Sequence, residues 1–334
     1  MAKPLAIVYG HASRDVGILS VICYSFHVPL CVFLTGYLSR YKGISLKDQL
    51  KRSVYRLLLP YFLWSLISMG IYMILGKLAS GSLGRETYTL GENIYYMLRG
   101  QSIGNAPLWY LPFLFNIQLL FYFWLRFLKK KQPVSRGQKI TVILLPAFFS
   151  ILTLSIYSRY RRDYPLDLPF NIGNACFLFV FLWFGFLAAR FMKLPQGKRW
   201  LPAAALLISV SVTAAVLLND EVEYMSFDHQ NYGRNIGVFY VTAMISSVGI
   251  IWLFQNLGSC RLLQWFGRNS MAIFLMHKFP VLFFQLILGD LSGVPESLAT
   301  VIYLLNAVLS MVMCCVAGLI LRKILPCMLG EKRK

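Results

Sequence analysis

The sequence predicts an all-α, polytopic membrane helical bundle, with nine complete transmembrane helices and an N-terminal remnant of a tenth. Three observations lead there. Hydrophobic residues make up 57% of 334 and charged residues only 14%, with a mean hydropathy of +0.61, far outside the composition of soluble globular domains. Apolar stretches near the roughly 20 residues that a helix needs to cross a bilayer recur along the whole length. The basic residues are not spread evenly but gather in alternate connections, as the positive-inside rule requires of a chain threaded back and forth through a membrane.

Taken in order, residues 4–11 form the last third of a span, and complete spans follow at 17–39, 54–76, 107–128, 139–156, 171–192, 200–218, 235–256, 270–289 and 299–321. Pro29, Pro60, Pro112, Pro146 and Pro280 fall inside them. Each kinks its helix and frees a carbonyl that a neighbour must satisfy. No low-complexity segment and no internal repeat divides the chain, so residues 1–334 are read as a single integral membrane domain.

The formal charge of +20 would suggest nucleic acid in a soluble domain. Here its placement excludes that reading. Segments 40–56, 126–139, 190–199, 261–268 and 322–334 hold 23 of the 33 lysines and arginines, while the opposite loops 77–106, 157–170 and 219–234 hold 7. The basic side is therefore expected to be cytoplasmic, with the C-terminus inside, in the cell (inner or plasma) membrane, touching anionic membrane lipids. Seven cysteines without regular spacing form neither a disulfide framework nor a zinc pattern, so no metal is expected.

The stretch SFHVPLCVFLTGYLSRYKG, residues 25–43, carries His27 two positions before Pro29 within an apolar run. An ionisable group in hydrocarbon is costly, so it should face a packed interior or a wet cavity. Upstream, VYGHASRD, residues 8–15, places His11 at the end of a shorter apolar run, and a turn-rich link folds the two runs into one hairpin. With SFHVPL…LTGYL, this "GH" pair resembles membrane acyltransferase family three, and within it the branch of fucose 4-O-acetylases and intercellular-adhesion polysaccharide modifiers. KRSVYRLLLPYFLW (51–64), PLWYLPFLF (107–115) and FGRNSMAIFLMH (266–277) agree in order with that family. The family places an arginine or lysine about eleven positions before its first histidine, a position that here would precede Met1. The expectation is thus a truncated or misassigned N-terminus, with ten spans in an intact form.

The resemblance implies acyl transfer from cytoplasmic acetyl-CoA, a donor substrate and not a resident cofactor, to a hydroxyl of a glycan or lipid-linked sugar. Such chemistry needs a base, a stabiliser for the tetrahedral oxyanion and a positive site for the donor phosphates. It gives His11 the general-base role, His27 a helping one, and Lys51, Arg52 and Arg56 the coenzyme A phosphates. Arg52 and Arg56 share one face of an α-helix at i and i+4. Trp109 would wall the acyl tunnel or stack on sugar, and Ser270 and His277, two turns apart, would close the cavity.

Structural alternatives stand beside each role: headgroup solvation for His11, a carbonyl freed by Pro29 for His27, a positive-inside anchor for the three bases, an interfacial tryptophan for Trp109, and a polar packing contact for His277. His229 in an acidic loop is expected to be solvated. Tyrosines of the outer loops (Tyr88, Tyr95, Tyr96, Tyr157, Tyr160, Tyr164) suit sugar rings or interface anchoring. Arg159, Arg161 and Arg162 hint at an anionic lipid carrier or glycan. The rival function is a polysaccharide or lipid-linked sugar exporter that uses the same histidines without acyl chemistry.

Overall fold

A computed structural model describes residues 2–13, 18–40, 43–79, 88–131, 135–160, 168–219, 232–289, 291 and 293–333. The helices are α1 (Ala2–Ala12), α2 (Ile18–Tyr37), α3 (Leu46–Ser53), α4 (Leu59–Ala79), α5 (Leu90–Leu98), α6 (Tyr110–Lys131), α7 (Arg136–Tyr160), α8 (Ile172–Phe191), α9 (Leu201–Leu218), α10 (Ile236–Asn256), α11 (Arg261–Arg268), α12 (Ser270–Met276), α13 (Lys278–Leu288) and α14 (Glu296–Ile324). No strand occurs among the described residues. Among the described residues, seven helical segments are long and apolar enough to cross a membrane, and the bent pair α12–α13, taken as one span, makes an eighth. The remaining expected span, at 17–39, falls short of that length: its apolar part, in α2, covers Ile22–Tyr37. It lies in the interior of the bundle, packed against α1, α8, α9 and α10. Arg14, Asp15, Lys42, Tyr164, Arg161, Arg162 and His229 lie outside the described residues.

Two apolar clusters build the interior. One gathers α2, α6, α8 and α10 around Phe33, Phe113, Phe181 and Phe239. The other gathers α1, α4, α12 and α14 around Val8, Tyr61, Ile273 and Met311. The first is held by a crossing of α2 and α8 at main-chain contact: a Cβ added to Gly36 would lie 1.9 Å from the Leu182 carbonyl oxygen, and one added to Gly185 would lie 2.0 Å from that of Phe33. Small residues at such a crossing let helix backbones approach where lipid offers no hydrophobic drive for association. Alongside, the Ser150 hydroxyl from α7 donates to the Cys176 carbonyl at 2.9 Å and accepts from the Val180 N–H at 3.1 Å, tying α7 to α8.

Contacts between connections sort the loops by end. Tyr122 donates to the Ile44 carbonyl, Tyr55 to that of Glu331, Trp252 to that of Pro195, and Arg322 to that of Arg268. The base-rich segments thereby meet at one end of the bundle. At the other end Phe170 bonds to Arg99, Asn171 to Gly100, and Tyr232 to Asn174. Arg322 also pairs with Glu331 at 3.0 Å and reaches Asn269, so it ties α14 to the α11–α12 junction and the C-terminal tail. Charge-assisted bonds of this kind contribute about 1.5–3 kcal/mol each. Replacing Arg322 with methionine is expected to destabilise the detergent-solubilised protein by about 2 kcal/mol or more. Thermal unfolding read by intrinsic fluorescence checks this, and an unchanged transition would contradict it.

Three local departures from straight spans shape the middle of the bundle. Ahead of Pro60, residues Val54–Leu58 form a π turn, with the Leu59 N–H bonded back to the Val54 carbonyl. Proline has no N–H to give, and a wider turn accommodates the gap. Ile103–Trp109 is a 3₁₀ segment with a non-helical Asn105, so the expected span at 107–128 starts its α-helix only at Tyr110. Pro280 has the same effect on the C-terminal side: α12 and α13 meet at His277 with a bend of 53°.

Candidate active site

The three departures surround one cavity of about 180 Å³ at the seam of the two clusters. Val28 and Trp109 line it from the first cluster, and Val8, Leu57, Leu111 and Ile273 from the second. Three of the four histidines face it from separate elements: His11 in the last turn of α1, His27 in α2 and His277 at the α12–α13 break. Trp109 and Ser270 complete the convergence of the expected cavity residues.

His11 is part-buried and its ring stacks on that of His277, centroids 5.3 Å apart and planes 30° from parallel. The His277 side chain is fully buried, and its Nδ1 lies 3.0 Å from the carbonyls of both Ile273 and Phe274. Carbonyl oxygens only accept, so Nδ1 carries a proton and, in the neutral ring, Nε2 holds the lone pair. That Nε2 has no hydrogen-bond partner among the described residues. His27 likewise carries a proton on Nδ1, which donates to the Cys23 carbonyl at 2.9 Å, and its ring sits edge-on to Tyr24. The carbonyl that Pro29 frees belongs to Ser25. His27 instead reaches back one full turn to Cys23, the direction helical side chains take.

Trp109 is buried, with its ring against Tyr110 and Phe113, so it is a wall of the cavity and not an interfacial tryptophan exposed to lipid. Ser270 and His277 share the cavity face, as their spacing implied. Lys51, Arg52 and Arg56 do not enter the wall; all three are exposed at the base-rich end. Arg52 belongs to α3 and Arg56 to the π turn, so the ideal i, i+4 register between them is interrupted. The residue after Arg56, Leu57, lines the cavity. Of the outer tyrosines, Tyr88 and Tyr95 are exposed and Tyr157 packs on Phe177.

Residues that the motif reading passed over also stand here. Tyr110 and Cys31 are part of the wall. Asn105, fully buried, donates from Nδ2 to the Leu275 carbonyl at 3.0 Å and so covers an acceptor next to the break. Gln285 on α13 donates from Nε2 to the carbonyls of His11 and Ala12, 3.0 Å each, at the C-terminal end of α1. A lone amide in the apolar run FPVLFFQLIL was the available signal. Among the described residues no group of three or more His, Cys, Asp or Glu is placed to hold a metal ion.

An all-helical, multi-pass membrane protein with a histidine-lined cavity between its helices is the class that these features define. A family profile described as an acyltransferase domain matches residues 5–321, nearly the whole chain, and the protein belongs to membrane acyltransferase family three. No curated protein and no solved structure matches it.

Proposed function

We propose that this membrane acyltransferase is an O-acetyltransferase, moving an acetyl group from cytoplasmic acetyl-CoA to a hydroxyl of a cell-envelope or exported polysaccharide, or of its lipid-linked precursor. The observation that carries the reading is the gathering of His11, His27 and His277 from three elements into one largely apolar cavity. Family membership favours acyl chemistry over export without it. The protein would sit in the cell membrane with its C-terminus cytoplasmic, because the base-rich connections meet at one end.

In this reading coenzyme A docks among Lys51, Arg52 and Arg56, and the thioester enters along Leu57. The cavity of about 180 Å³ would receive the acyl thioester and the attacking hydroxyl, with the nucleotide held at the basic mouth. His11 takes the hydroxyl proton as the alcohol oxygen attacks the thioester carbonyl. The C–S bond then breaks, and the imidazolium returns the proton to the departing thiolate.

The direct test is release of free coenzyme A thiol and appearance of O-acetyl groups when purified protein meets acetyl-CoA and envelope polysaccharide. An intact protein that consumes no acetyl-CoA would overturn the proposal. Replacing Arg52 and Arg56 together by glutamine is expected to raise the KM for acetyl-CoA about tenfold or more with kcat largely kept, since phosphate contacts distant from the reacting carbon are made equally in ground and transition states. A fall in kcat alone would place the donor elsewhere.

A further inference from the structure

We propose that Gln285 is a positioning residue for the His11 imidazole, fastening the end of α1 to the same bent helix pair whose break carries the stacked His277. The inference rests on the acyl-transfer reading of the cavity. His11 lies in the last turn of an 11-residue helix, beyond which the carbonyls have no intrahelical partner. Gln285 supplies the missing donor to two of them at once, His11 and Ala12, from a helix 274 residues away in sequence. Eight residues earlier on the same pair, His277 stacks on the His11 ring, and its own plane is set by the Ile273 and Phe274 carbonyls. Asn105 covers the Leu275 carbonyl and steadies the break itself.

The base is thus held at two points by one bent helix pair: its main chain by Gln285 and its ring by His277. The histidine that accepts the proton must lie within hydrogen-bond reach of the alcohol, and a misplacement of about 1 Å costs on the order of 10²-fold in rate. A polar amide in an apolar helix that spends both contacts on the end of α1 serves that placement.

The test measures kcat and KM for acetyl-CoA in the purified full chain, using coenzyme A thiol release, beside the thermal transition. Gln285→Leu is expected to lower kcat about 10- to 100-fold at temperatures well below its transition, with KM within about twofold, while the transition falls only by what the loss of two hydrogen bonds implies. Gln285→Glu keeps the shape but turns acceptors toward acceptors and should be no better than leucine. Gln285→Lys restores N–H donors at a helix C-terminus and should recover part of the loss. Should the leucine variant fail to fold, Gln285→Met removes the donors with less change of shape and is read in the same way. Unchanged kcat in Leu and Met below their transitions, a loss carried by KM, or a kcat loss that lysine does not partly recover, overturns the inference while leaving the acyl-transfer reading intact. Wild-type protein that releases no thiol overturns that reading and this one with it.

Discussion

Replacing His11 with alanine is expected to lower kcat for the proposed acetyl transfer by about 10²–10⁴-fold, the range a positioned general base contributes. The KM for acetyl-CoA should stay within about threefold, because the cations assigned to the donor sit at the base-rich end and not in the cavity wall. The substitution also uncovers the buried face of His277, against which the His11 ring lies. His11→Phe therefore belongs beside it: phenylalanine keeps an aromatic face on that ring and removes only the nitrogens. If the role is acid–base chemistry, both variants lose activity alike. If the ring serves packing alone, phenylalanine retains it. Activity of both variants within threefold of wild type would remove His11 from the reaction.

The fold class was legible because a membrane imposes a coarse and redundant code: long apolar runs, proline positions and the sorting of bases are each readable without knowing what touches what. The convergence of His11, His27, Trp109, Ser270 and His277 was legible for a different reason, through motif blocks whose order matches a family, and the cavity gathers all five. What escaped were pairings made at long sequence distance. Asn105 meets Leu275 and Gln285 meets His11 across 170 and 274 residues, and a single amide carries no mark of its partner. Local chemistry was missed where it was in fact present: Thr89-Leu90-Gly91-Glu92 is a capping-box pattern, and both of its hydrogen bonds open α5 inside what reads as an outer loop.

Register is the other thing composition does not reveal. The i, i+4 pairing of Arg52 and Arg56 presumes an α-helix, yet Pro60 lies four residues beyond Arg56 and a π turn intervenes. The same proline that was readable as a kink thus changes the face on which the cations emerge. At Pro280 the kink becomes a break, and the break puts His277 at a helix end, where its Nδ1 meets two carbonyls and its Nε2 has no hydrogen-bond partner among the described residues. Both prolines are structural devices that turn an ordinary span into part of a site.

The largest effect on folding is expected at the crossing of α2 and α8. A methyl group on Gly36 would sit 1.9 Å from a carbonyl oxygen of Leu182, and on Gly185 2.0 Å from that of Phe33. The obstacle in each case is main chain, which no rotamer change can move aside, so the helices must separate by an ångström or more. Overpacking a tight interior costs about 1–3 kcal/mol even when side chains absorb it, and here they do not. Gly36→Ala and Gly185→Ala should each lower stability by roughly 3 kcal/mol or more, and valine at either position should leave little folded protein. The loss would reach the site as well, since α2 carries His27, Val28 and Cys31 into the cavity wall. Gly70→Ala in α4 is the control: nothing lies within 4 Å of its added methyl, and relief of glycine's backbone entropy should leave stability equal or about 0.5–1 kcal/mol higher. Because either alanine alone forces the same separation, the double variant should cost little more than one, a coupling that independent sites do not show. Thermal unfolding in detergent across these four proteins decides it; additive losses, or a Gly36→Ala variant as stable as Gly70→Ala, would mean that the two backbones are not in contact.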